Sequence, residues 1–117
     1  MSQQLDDHIP LTPAVLHILL ALSDGEKHGY GIMQEVSSIT GGQITMGPGT
    51  LYGTLKRLLK SGLIVETSPP AGQPAEDERR RYYRLTAFGA SVLDADLKRM
   101  AQLLTVAEQK RAYGGAS

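Results

Sequence analysis

The sequence predicts a mainly helical fold with one small β-hairpin. Three observations carry this prediction. Three stretches with apolar residues at helical spacing lie between Pro13 and Lys60, each with a start or stop signal at its ends. Two short stretches, Leu63 to Thr67 and Arg79 to Leu85, read as strands, and the proline- and glycine-rich run SPPAGQPAEDE between them makes the pair a hairpin. From Leu93 onward, apolar residues recur in steps of four and three, the rhythm of a helix packed on another helix. Helix, helix, helix, strand, loop, strand, helix is the order of a winged helix-turn-helix with one added C-terminal helix.

Thr12 and Pro13 open the first helix. The threonine hydroxyl can accept an orphan backbone N–H, and proline suits the first helical position. The run AVLHILLAL is apolar on most of its circumference, which predicts cover on more than one side. Asp24 and Gly25 end it. The second helix begins in HGYG, at residues 28–31, and runs to Ile39, with Ile32, Met33, Val36 and Ile39 as its buried stripe. Gly29 and Gly31 are poor helix residues, and two readings stand for them: close approach of a neighbouring helix, or a flexible helix start. Gly41 and Gly42 are the stop signal.

In the third helix Pro48 fits the first position and Gly62 fits the end. Leu51, Leu55, Leu58 and Leu59 form a core-facing stripe. Gly49, Gly53, Lys56 and Lys60 fall within about 60° of one another on the opposite side, flanked by Thr50 and Arg57. Tyr52 sits at the border. In the second strand Tyr83 and Leu85 are expected to face the core and share a face with Arg81, while Arg80, Tyr82 and Arg84 share the other. Thr86 caps the last helix, whose apolar positions are Leu93, Leu97, Met100, Leu104 and Ala107. The expected organisation is a disordered or flexible segment over 1–10, a winged-helix domain over 11–86, a C-terminal dimerisation helix over 87–112 and a flexible tail over 113–117.

Composition excludes several classes of function. The chain has 117 residues, 41% hydrophobic and 21% charged, with no cysteine, so neither a disulfide framework nor a thiolate metal site is available. His8, His17 and His28 are too scattered for a metal site, and His17, among apolar residues, reads as a satisfied, partly buried histidine. No nucleophile triad, phosphate loop or carboxylate pair appears; Asp94 and Asp96 are two apart and do not face one another. The reading is therefore not an enzyme, with no cofactor. No apolar run reaches the roughly 18 residues of a membrane span, and the polar, acidic start is unlike a signal peptide, so a cytoplasmic location is expected. The net charge is zero, yet seven of the twelve Lys and Arg fall between Lys56 and Arg84. That local excess, on the third helix and on the wing at Arg79, Arg80 and Arg81, suits the phosphates and base edges of double-stranded DNA. An ion pair of Arg81 with Glu76 or Asp77 is the plainer account of part of the wing charge.

Three blocks in register, HGYGI at 28–32, GPGTLYGTLKRLLKSGLI at 47–64 and RRRYYRLTAFG at 79–89, resemble the PadR family of transcriptional regulators in its short form. The resemblance covers nearly the whole chain from Leu11 to Leu104. It implies a homodimer built by the C-terminal and first helices, bound to a palindromic operator and usually acting as a repressor. Carried over, the DNA-facing positions are Gly49, Thr50, Tyr52, Lys56 and Arg57 on the third helix, with Arg79 and Arg80 at the wing tip. Gly53, Lys60 and Arg81 join them from the charge pattern. Gly53 stands where family members often carry proline, and Leu59 where they often carry glutamate. The expected dimer interface is Val15, Leu19, Leu93, Leu97, Met100 and Leu104. Some members bind phenolic acids or planar drugs at that interface. This chain has no tryptophan and one phenylalanine, Phe88, so no aromatic sandwich is evident. Tyr30, Tyr113 and first-helix residues are the remaining candidates to line a pocket, and the identity of any small-molecule effector stays open. The rival reading is a winged-helix protein-interaction module without DNA binding, which requires an exposed apolar patch on the third helix.

Overall fold

The structure, a computed structural model, describes residues 5–69 and 81–114. A 3₁₀ turn, Leu5–Asp7, precedes helix α1, Pro13–Ala21. Strand β1, Lys27–His28, leads directly into α2, Gly29–Ile39. Helix α3 spans Pro48–Lys60, and strands β2, Ile64–Thr67, and β3, Tyr82–Leu85, form the described part of the wing. Helix α4, Ala87–Gly114, is 28 residues long. The fold is mainly helical, a winged helix with a long C-terminal helix, as the sequence predicts. The sheet differs from the prediction: it has three antiparallel strands in the order β1-β3-β2, not two. Lys27 pairs with Tyr83 and His28 with Tyr82, while Ile64 pairs with Leu85. Two residues are too few to show alternation in the sequence, which is why β1 was not foreseen.

The helix ends follow local chemistry. The Thr12 hydroxyl accepts from the Val15 N–H, with Pro13 in the first turn. The His28 ring caps α2: its Nδ1 accepts from the Gly31 N–H at 3.0 Å, which puts the ring proton on Nε2. Helix α3 stops in a Schellman motif. Leu63 N–H donates to the Leu58 carbonyl and Gly62 N–H to the Leu59 carbonyl, and Gly62 takes the φ of +80° that this closure needs. The Thr86 hydroxyl accepts from the Gly89 N–H at 2.9 Å and opens α4.

Ile18, Leu19, Ile32, Val36, Leu51, Leu55, Leu58, Ile64, Tyr83 and Val92 meet in one core. Burying each of the aliphatic side chains among them is worth about 1.5–3 kcal/mol. The predicted stripes are present with three differences, the first being that Met33 of α2 is only partly buried. Ile39 of α2 is exposed, because it lies in the last turn beyond the core, and Leu59 of α3 is only partly buried. Tyr82, assigned to the strand's outer face, is buried with Tyr83: β1 covers it, and the His28 ring stands edge-on against it at 5.3 Å.

The segment before α1 packs against the body. Ile9 and Leu11 lie against the core, and the His8 and Phe88 rings meet edge to face at 5.4 Å. Within the expected flexible segment over 1–10, these contacts place His8 and Ile9 on the body. Among the described residues, no helix is long and apolar enough to cross a membrane.

Candidate nucleic-acid interface

Leu51, Leu55 and Leu58 are buried and fix the rotation of α3 about its axis. Its other side follows from that rotation. Gly49, Thr50, Tyr52, Gly53, Lys56, Arg57 and Lys60 are all exposed. No atom stands within 4 Å of where a Cβ would lie at Gly49 or Gly53, so the first two turns form a slim ridge with open space beside it. The cap residue, Gly47, offers no side-chain acceptor to the N–H groups of the first turn. A helix start with free N–H groups and its positive dipole end favours an anion there.

Four cations elsewhere in the chain are held by carboxylates. Lys27 pairs with Asp24 at 2.5 Å, Arg81 with Glu66 at 3.4 Å, Lys98 with Asp94 at 3.1 Å and Arg99 with Asp96 at 2.6 Å. Among the described residues, none of Lys56, Arg57 and Lys60 has a carboxylate partner within salt-bridge distance. Arg57 Nη2 donates at 3.4 Å to the buried Thr54 hydroxyl, which itself donates to the Thr50 carbonyl. Thr54 therefore steadies Arg57 along the ridge. The sequence reading passed over Thr54; its i, i+3 spacing to Arg57 was the available signal.

Tyr52 joins the ridge to its surroundings. Its hydroxyl end lies where a Cβ on Gly29 would stand, so the missing side chain at the start of α2 makes room for the ring. That decides between the two readings of Gly29, and the neighbour it admits is a side chain, not a helix backbone. At Gly31 a Cβ would meet only the His28 ring at an ordinary 3.5 Å. Burial pushes the Tyr83 phenol above its usual pKa, with the Glu66 carboxylate and Tyr52 acting in the same sense. Helix α3, the start of α2 and strand β3 thus converge around Tyr52.

On the wing, Arg81 and Arg84 are exposed. Arg81 pairs with Glu66 across the sheet; Glu76 and Asp77, the partners considered from sequence, lie outside the described residues. Arg79 and Arg80 lie outside the described residues, as do residues 1–4, most of the predicted loop and residues 115–117; nothing describes the side chain of Tyr113. His17 is partly buried, and its Nδ1 donates to the Pro13 carbonyl at 2.7 Å. Among the described residues, no group of three His, Cys, Asp or Glu could hold a metal ion.

The expected dimer residues divide. Leu97 and Leu104 are exposed, at 37% and 56%, and Val15 and Met100 are partly covered. Leu19 and Leu93 are buried in the protomer's own core and offer no surface to a second chain. The correction has a simple cause: the root of α4 packs on its own body, so its apolar rhythm serves that body first and turns outward only from Leu97. Leu103 and Val106 extend the exposed apolar surface. The buried Asp96 was also missed. It continues the buried stripe Val92, Asp96 at i, i+4, where sequence alone favours an apolar residue.

Comparison with known proteins gives three points of reference and a family profile. The profile of the PadR-like family of transcriptional regulators matches residues 18–95. The transcriptional regulator Rv3488 of Mycobacterium tuberculosis is 38% identical over 88 residues, 75% of this chain and 76% of that protein. A 37.1 kDa protein of transposon TN4556 from Streptomyces fradiae is 35% identical over 91 residues, 77% of this chain; the match spans only 24% of that longer protein. The crystal structure of Bacillus subtilis PadR in complex with operator DNA superposes with a TM-score of 0.63 at 26% identity, covering 75% of this chain and 47% of that one.

Proposed function

The chain belongs to the PadR-like family of transcriptional regulators, and from that premise we propose that it binds operator DNA through the exposed ridge of α3. The observation that carries the reading is the pairing of shape and charge on one face. Small residues at 49, 50 and 53 leave the first turns slim enough to enter a major groove. Lys56, Arg57 and Lys60 follow without carboxylate partners among the described residues, so their charge is available to phosphates and base edges. The wing arginines, Arg79, Arg80 and Arg81, extend the contact along the backbone. The rival, protein-binding module finds little on α3 to favour it: Tyr52 is the one large apolar residue exposed there.

The proposal extends to a homodimeric repressor of a palindromic operator. The exposed apolar side of α4 supports this, since Leu97, Leu103, Leu104 and Val106 would be covered by the same helix of a second copy. In such a dimer the two α3 ridges stand about one turn of DNA apart, on the order of 34 Å. A small-molecule effector at the interface would release DNA by favouring one spacing over another.

The test is fluorescence anisotropy with the duplex of the chain's own promoter across salt concentrations. Each phosphate neutralised contributes about −0.9 to the slope of log affinity against log salt. A steep negative slope is expected. A flat response, or no binding at low salt, overturns the reading.

A further inference from the structure

Helix α4 changes character at one residue. Up to Asp96 it is rooted: Val92 and Leu93 are buried, and the Gly89 position lies directly against the Leu63 carbonyl, where a Cβ would collide. From Leu97 onward its residues are exposed or only partly covered, and residues 101–112 are exposed without exception. Asp96 is the outermost anchor, and it is a carboxylate with no solvent exposure. Both its oxygens are used. Oδ1 accepts from Arg99 Nε at 2.6 Å, and Oδ2 accepts from the backbone N–H of Leu11 at 3.2 Å. The second bond reaches across 85 positions of sequence to the segment that enters α1. That segment meets α4 once more at His8 and Phe88.

A buried carboxylate at the last fixed turn is a costly choice where a leucine would serve packing alone. What it supplies is direction. Charged hydrogen bonds hold one geometry, whereas an apolar contact tolerates sliding. From Asp96 to Gly114 the helix runs about 27 Å at 1.5 Å per residue, so a tilt of about 10° at the anchor would move its tip by about 5 Å.

We propose that Asp96 is a positioning residue that latches the Leu11 segment to α4, fixes the angle between α4 and the winged-helix body, and so sets the separation of the two α3 ridges in the dimer. The second half of this statement rests on the homodimer proposed above; the first half does not.

The experiment uses the full chain, and its lack of native cysteine allows clean spin labelling. Labels at Ser38→Cys on α2 and Gln102→Cys on α4, diluted into unlabelled chain, report the angle of α4 within one protomer by pulsed electron–electron resonance. A single label at Ser38→Cys reports the separation of the two bodies. Wild type is expected to give narrow distributions in both. Asp96→Asn, which keeps an acceptor for Leu11 but removes the charge held by Arg99, should broaden or shift both by several ångström while thermal unfolding stays cooperative. Arg99→Gln, at a partly exposed site, should do the same and serves should Asp96→Asn not fold. Unchanged intramolecular distances in the folded variants overturn the latch. Changed intramolecular distances with unchanged body separation overturn its role in spacing. No intermolecular distance in wild type overturns the dimer, and the spacing role with it, while the intramolecular arm still decides the latch.

Discussion

Gly29 and Gly89 look alike in sequence, and the surroundings make them opposites. A Cβ at Gly29 would meet the hydroxyl end of Tyr52, a half-exposed side chain that can swing away. A Cβ at Gly89 would meet the Leu63 backbone carbonyl, which cannot. Both sites are helical, where alanine gains up to about 1 kcal/mol over glycine. Gly29→Ala is therefore expected to leave stability near wild type and to weaken DNA binding by displacing Tyr52. Gly89→Ala is expected to lose about 1–3 kcal/mol through overpacking. Urea unfolding of both variants checks the order, and reversed values would refute it. Asp96 makes a pH-dependent contribution. The hydrogen bond from Arg99 is the main reason its carboxyl sits below the ordinary value; burial opposes this and the Leu11 N–H adds to it. A lowered folded pKa stabilises above the unfolded value near 3.8, and the contribution is lost as pH falls through the folded one. The stability gap between wild type and Asp96→Asn should be widest above pH 4 and should close on acidification, as read from urea midpoints at several pH values.

At the scale of elements, the helices of the body were legible because their signals are local. A threonine before a proline, a glycine after the last leucine and a leucine stripe each act within a few residues, and Thr12, Gly62 and, Leu59 apart, the stripe of α3 occur as read. The slim, cationic side of α3 was legible for the same reason, since the buried leucines leave one side outward. Strand β1 and the burial of Tyr82 were not, because both depend on a pairing between residues 28 and 82 that no local pattern announces. The heptad rhythm of α4 was read correctly as apolar but assigned wholly to a partner. Its first turns are satisfied at home, and periodicity does not say whose surface is on the other side. The outward part carries the element-scale prediction. Leu97→Asp would place a charge in the proposed helix–helix seam and should give monomers by light scattering, with the winged-helix body still folded by circular dichroism. A dimer that survives this change would reassign the interface.

For the whole molecule, zero net charge makes the location of the cations decisive. Long-range attraction to a polyanion is weak for a neutral chain, so the proposed function assigns the affinity to the local excess around α3 and the wing. Replacing Lys56 and Arg57 together with Ala should lower affinity at all salt concentrations and reduce the magnitude of the salt slope by up to about 1.8, two phosphates' worth. Oligomeric state should not change. An unaltered slope would place the contact surface elsewhere. The central strand of the sheet has a further consequence, in the order of events during synthesis. Strand β3 lies between β1, which emerges early, and β2, so the sheet closes only once residue 85 is available. Helix α3 is complete by residue 60, but Tyr82, Tyr83 and Val92, part of the packing that holds the body together, are still to come. A nascent chain on the ribosome therefore carries its basic helix for some time without the framework that aims it, and gains a competent surface late and all at once.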